Sequence, residues 1–173
     1  MVTFETYNYD KINFSSTKSN SSIYKQFQIE KTDFKLRKYI LNHLALVLIF
    51  LILCLYLLSI KSAFITCLVY LLWIYIKLNS TVVKQQILFI RSVGVQETTI
   101  FATGKFETKF YNADKIQDLL INESVSTLRV IFYLCLIYKE ANSETNTLLP
   151  LLIQTKPKLD VLKQIYKETI DFF

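Results

Sequence analysis

Residues 85–110 read QQILFIRSVGVQETTIFATGKFETKF, and their period decides the fold. Residues 85–92 form a β-rich run and 95–102 a second run, and in 106–110 apolar and polar side chains alternate with the two-residue period of a half-buried strand. The breaks fall at 93–94 and 103–104, and each uses one of the chain's 2 glycines. A tight hairpin needs φ > 0, which glycine adopts without a Cβ penalty. The stretch therefore reads as two consecutive hairpins. In its third run Phe106, Thr108 and Phe110 are expected to face inward, with Lys105, Glu107 and Lys109 in solvent.

The pattern continues downstream. Residues 115–122 (KIQDLLIN) read as a further strand. Residues 128–139 (LRVIFYLCLIYK) form an apolar run of about twelve residues, too short to span a membrane as a helix, and so a central strand. An exposed loop is expected at 141–146, then a strand at 148–154 in which Pro150 marks an edge or bulge. Pro157 sits where a first-turn proline would, and Leu159, Leu162, Ile165, Tyr166, Ile170 and Phe173 then repeat at helical spacing. About six antiparallel strands and a C-terminal amphipathic helix make residues 79–173 an α+β domain. By analogy, a small antiparallel split barrel like that of pleckstrin-homology (PH) domains fits this order.

Upstream, composition takes over. Hydrophobic residues make up 52% of the 173, and mean hydropathy is +0.32. That is an excess for a soluble domain unless one segment carries it. Residues 39–60 (YILNHLALVLIFLILCLYLLSI) hold no acidic or basic side chain except His43, and as a helix would run about 33 Å. After Lys61, residues 62–76 are again uncharged, about 22 Å of helix. The expectation is a transmembrane helical hairpin over 39–78 with a tight turn at 59–62; a single span with a re-entrant second segment is the other reading. Tyr70, Trp73 and Tyr75 sit near the exit, where aromatic belts lie. Lys35, Arg37 and Lys38 precede the apolar run and Lys77 follows it, with only Lys61 at the turn. This places both ends in the cytosol and makes Lys35, Arg37, Lys38, Lys61, Trp73 and Lys77 the candidate membrane-interface residues. Residues 1–38 read as a polar, basic, partly disordered arm. Residues 24–38 alternate weakly and leave open an added strand or an interfacial stretch.

The chemistry is defined by what is missing. One His, three scattered Cys (Cys54, Cys67, Cys135) and two Gly exclude a multi-histidine metal site, a disulfide framework and a glycine-rich phosphate loop. No Asp-x-Asp pair is present to hold a metal on a nucleotide-sugar diphosphate. Glu97, Glu107, Asp114, Asp118 and Glu123 are spaced like exposed strand and turn residues. No catalytic, cofactor-binding or metal-binding residue is assigned. The chain reads as a membrane-anchored binding domain; the net charge of +6 suits an anionic membrane surface, and nucleic acid is not indicated.

The stretches ILFIRSVGVQ (87–96), KIQDLLINE (115–123) and VIFYLCLIYK (130–139), in that order, resemble the PIG-H family, a component of phosphatidylinositol N-acetylglucosaminyltransferase. LLPLLIQTKPKLDVLKQIYKET (148–169) looks like that family's closing strand and helix. The resemblance implies an accessory, non-catalytic subunit of a complex at the endoplasmic reticulum membrane. That complex transfers N-acetylglucosamine from UDP-N-acetylglucosamine to phosphatidylinositol, the first step of glycosylphosphatidylinositol (GPI) anchor synthesis. The implied partners are the catalytic glycosyltransferase subunit and other subunits, with phosphatidylinositol itself a further candidate. Gly94, Val95, Gln96, Asn122 and Glu123 lie in the best-matching stretches. They read either as partner contacts or as ordinary turn and strand-exit residues. The competing class is a membrane-anchored PH-like module that binds lipid or protein without a transferase.

Overall fold

A computed structural model describes residues 2–6, 11–18, 23–32, 44–46, 48–49, 52, 60–126, 129–139 and 146–170. The chain divides into two compact units. One comprises Met1–Asp33, Val82–Ile100 and Phe106–Phe173; the other comprises Phe34–Thr81 and Phe101–Lys105.

The larger unit is built from two antiparallel sheets. The first runs in sequence order: β1 (Val2–Glu5), β2 (Lys11–Lys18), β3 (Tyr24–Lys31), β4 (Val82–Ile90), β5 (Gly94–Phe101) and β6 (Phe106–Asn112). The second is β7 (Ile116–Ser126), β8 (Arg129–Lys139) and β9 (Asn146–Leu151). A helix, Leu159–Thr169, follows. One core unites them. Every second residue turns inward, giving Ile12 and Phe14, Phe27 and Ile29, Ile87 and Phe89, Val95, Leu134 and Leu136, with Val161, Leu162 and Ile165 from the helix. Phe14 stacks on Phe27 at 6.1 Å, and Phe27 meets Phe89 edge-on at 5.9 Å. Each such side chain, fully buried, contributes about 1.5–3 kcal/mol. Lys25 Nζ donates to the Glu168 backbone carbonyl and ties β3 to the last helical turn.

Six strands follow residue 81, and 129–139 is the middle strand of its sheet. Pro150 lies on the sheet's edge strand, where a missing N–H is tolerated. The architecture nevertheless corrects the PH-like split barrel. Those six strands are shared between two sheets, and residues 2–31 supply three more to the first: β3 is the added strand left open for 24–38, while β1 and β2 fall in the stretch read as a polar arm. The reason is pairing: β3 lies alongside β4 from Tyr24↔Ile90 to Glu30↔Lys84, giving Phe27 and Ile29 a buried face that weak local alternation did not reveal.

Two local expectations also shift. Phe106 and Phe110 are 69% and 53% exposed, because β6 is an edge strand with little laid over its outer face. Pro157 forms an isolated bridge with Thr6, and the helix begins two residues later. At the first hairpin Gly94 has the expected positive φ, +147, and Ser92, at φ 60, adds a left-handed residue that the glycine break did not announce.

The second unit contains a helix, Ile60–Ser80. The expected membrane hairpin is overturned: among the described residues no helix is long and apolar enough to cross a membrane. The uncharged stretch between Lys61 and Lys77 covers only about 22 Å, short of a hydrocarbon core of about 30 Å. Residues 60–62, expected as the turn, are already helical. Most of the 39–60 run lies outside the described residues, as do Lys35, Arg37 and Lys38.

Candidate functional site

The inward phase of β4 and β5, set by Ile87, Phe89 and Val95, carries polar side chains one step further along. Gln85, Glu97 and Thr99 are 1%, 6% and 8% exposed. Glu97, read from sequence as a surface acid, is therefore a core residue. Burial of such groups is tolerated when their hydrogen bonds are made. Gln85 Nε2 donates to Glu97 Oε1 (3.3 Å) and to Thr99 Oγ1 (3.2 Å).

Their other partners lie on the segment that leaves β9. The Leu152 N–H donates to Glu97 Oε1 at 3.0 Å. The Thr155 N–H and hydroxyl donate to Gln85 Oε1 at 2.9 and 2.7 Å. These bonds satisfy backbone groups that have left the β8 ladder. They also hold two non-glycine residues in the left-handed region, Leu152 at φ 56 and Lys156 at φ 45. Such conformations cost about 1–3 kcal/mol each and persist where surroundings impose them. Burial pushes the Glu97 carboxyl above its usual range, while the Leu152 N–H and the charge of Lys109 act against that rise.

The segment so held forms one wall of a cavity of about 320 Å³. Ile131, Phe132 and Tyr133 of β8, Leu148 and Pro150 of β9, and Ile153, Pro157 and Leu162 line it. Lys156 is the single charged side chain of the lining, with Ser124 as a further polar group. An apolar cavity with one cation at its wall suits an apolar group carrying a polar or acidic end. It has no paired acid and base for proton transfer. Among the described residues no cluster of His, Cys, Asp or Glu could hold a metal ion.

The five residues singled out as partner contacts fall on separate sheets. Gly94 is buried, and a Cβ there would lie 2.1 Å from the Tyr111 carbonyl oxygen, at φ +147. Val95 is in the core. Gln96 is half-buried and donates to Thr98 Oγ1 at 3.4 Å. Asn122 reaches the cavity indirectly: its Nδ2 donates to the Tyr133 hydroxyl at 3.1 Å. Glu123 is exposed. In the smaller unit, Lys77 Nζ lies 5.8 Å from the Trp73 ring centre, and Trp73 packs on Tyr70 at 5.7 Å. Lys61 stands in the first helical turn. The buried trio Gln85, Glu97 and Thr99 was missed. The available signal was phase, since these positions share parity with Ile87, Phe89 and Val95.

Comparison with known proteins bears on the same strands. The family model described as "GPI-GlcNAc transferase complex, PIG-H component" matches residues 86–151, from within β4 to the end of β9. A mouse (Mus musculus) protein, named as the phosphatidylinositol N-acetylglucosaminyltransferase subunit lettered H, is 37% identical over 86 residues, 49% of this chain and 46% of that protein. The human (Homo sapiens) protein of the same name is 34% identical over 86 residues, with the same shares. Subunit gpi15 of the same transferase from Schizosaccharomyces pombe is 32% identical over 92 residues, 53% of this chain and 55% of that protein. The chain thus spans about half the length of the curated relatives it matches. No solved structure matches it. Over residues 86–151, which supply the β8 and β9 walls of the cavity, this chain is similar to the PIG-H component.

Proposed function

We propose that the chain is a non-catalytic accessory subunit of the complex that transfers N-acetylglucosamine from UDP-N-acetylglucosamine to phosphatidylinositol, opening GPI-anchor biosynthesis. The match of residues 86–151 to the PIG-H component carries this reading. The relatives bear the name of a subunit of that transferase. The site supports the accessory role. It offers apolar volume, one lysine and a conformationally held wall, which are means of binding. The catalytic glycosyltransferase subunit is the expected partner.

The same proposal places the chain at the endoplasmic reticulum membrane with both ends in the cytosol. The basic residues bracketing the apolar segment in the sequence support this, together with the Lys77–Trp73 pair near the end of the Ile60–Ser80 helix, which suits a membrane surface. Its exposed apolar side chains, among them Ile65, Val69, Leu72 and Ile76, suit an apolar environment of lipid or neighbouring helices.

Two measurements test the proposal. Affinity capture of the full chain in mild detergent is expected to recover a glycosyltransferase, with activity toward phosphatidylinositol in the eluate. Depletion of the chain is expected to abolish that transfer in microsomes. Intact transfer after depletion would refute the reading. Headgroup binding by a lone, inactive chain would move it to the lipid-binding class.

A further inference from the structure

The last strand of the six-stranded sheet carries a surface that matches itself. β6 reads FETKFYN over Phe106–Asn112 and pairs with β5 on one side, with no strand on its other side among the described residues. The register places Glu97 opposite Lys109 and Thr98 opposite Thr108. Two bonds at its ends fix which backbone groups that pairing uses: Phe101 N–H to Lys105 O (2.8 Å) and Ala113 N–H to Val93 O (3.0 Å). Odd-numbered residues therefore exchange bonds between β5 and β6, and even-numbered pairs do not. The N–H and C=O of Phe106, Thr108 and Phe110 consequently point out from the sheet's edge.

We propose that β6 is a docking edge for a second copy of this chain, joined antiparallel about a two-fold axis at Thr108. In that register Thr108 faces Thr108 of the second copy, Phe106 faces Phe110 and Glu107 faces Lys109, each mixed pair occurring twice by symmetry. The outward backbone groups of 106, 108 and 110 meet their counterparts and form about six hydrogen bonds. The Glu107–Lys109 contacts then fall at the non-bonded positions, where opposing side chains come closest. The aromatic pairs lie on the other face, where Phe106 and Phe110 are 69% and 53% exposed. Edge strands are commonly protected by a proline or by a charge that meets no opposite. β6 has no proline, and each of its charged positions at 107 and 109 is answered by the opposite sign. A displacement by two residues would set Glu107 against Glu107 or Lys109 against Lys109, so charge selects the centred register.

The test uses the full chain carrying two different tags, co-expressed in cells and captured through one. Wild type is expected to recover the second tag. Thr108→Pro removes an outward N–H and leaves the β5 ladder its bonds, so it is expected to lose that recovery while keeping its circular dichroism spectrum. Glu107→Lys alone and Lys109→Glu alone each create like-charge contacts and are expected to lose recovery. The combined exchange E107K/K109E is expected to restore it, as is co-expression of one single variant with the other. The charge series decides the matter even if the proline variant fails to fold. Recovery that survives Thr108→Pro and both charge reversals overturns the proposal. So does a wild-type chain that never recovers its second tag, including one whose edge is found paired with a strand of another protein.

Discussion

Replacing Glu97 by alanine tests the buried network directly. The substitution removes the acceptor of the Leu152 N–H (3.0 Å) and of Gln85 Nε2 (3.3 Å). Leu152 is 2% exposed, so water cannot take over that role. A buried donor left without a partner costs about 1–3 kcal/mol. Leu152 also loses the contact holding it at φ 56, and the side chain's methylenes leave a small void. Relief from burying a carboxylate offsets part of this. The expected net loss is about 2–4 kcal/mol, a large share of a typical domain stability of about 5–15 kcal/mol.

Glu97→Gln is the control, since it keeps the acceptor and discards the charge. Urea unfolding followed by far-UV circular dichroism measures both variants. A difference between them below about 0.5 kcal/mol would refute the claim that the acceptor holds the segment. The same pair fixes a pH dependence. Burial raises the folded carboxyl above its ordinary 4.5. The folded state then keeps a proton the unfolded chain has lost, so this carboxyl's contribution to stability is fully present below 4.5 and is lost as pH rises through the folded value. Wild type is expected to show that loss and Glu97→Gln to lack it.

Gly94→Ala is expected to cost about 3 kcal/mol or more, because its Cβ would enter the Tyr111 carbonyl and its φ of +147 disfavours a side chain; the denaturation midpoint reads this. Leu134→Ala, in the centre of the core, is expected to cost about 2–5 kcal/mol in the same assay. Tyr133→Phe removes the acceptor of Asn122 Nδ2 and is expected to cost about 0.5–1.5 kcal/mol. If the cavity serves the proposed partner, that variant should also lower capture of the glycosyltransferase. Cys135 is fully buried and its thiol is pushed up by burial, so with Cys54 and Cys67 replaced by serine it is expected to resist alkylation until the chain is unfolded.

Much of the larger unit was legible locally. The two hairpins, the central strand at 129–139 and the C-terminal helix follow from periods of two and 3.6, which report burial of one face. The PIG-H likeness was legible as ordered short stretches. Three features were not. The strands within 2–31 carry too little alternation to announce a sheet and acquire a buried face only once β3 pairs with β4 and β2 and β1 add to it in turn. Phe106 and Phe110 alternate like buried residues, yet which face is covered depends on what else packs there. The apolar run after residue 38 implied membrane helices by composition alone. In the Ile60–Ser80 helix, lysines bound a stretch too short to cross.

The sequence by itself determined the strand and helix periods after residue 81, the two hairpin breaks, the absence of a catalytic or metal-binding motif and the family likeness. These are short-range properties, written in neighbouring residues. Tertiary structure decided which strands share a sheet, that Glu97 is buried rather than solvated, and that the chain after β9 walls a cavity. Each depends on residues far apart in sequence, as when Gln85 receives two hydrogen bonds from Thr155. Alternation reports that a strand has an inner face; only the packing of distant segments determines what that face meets.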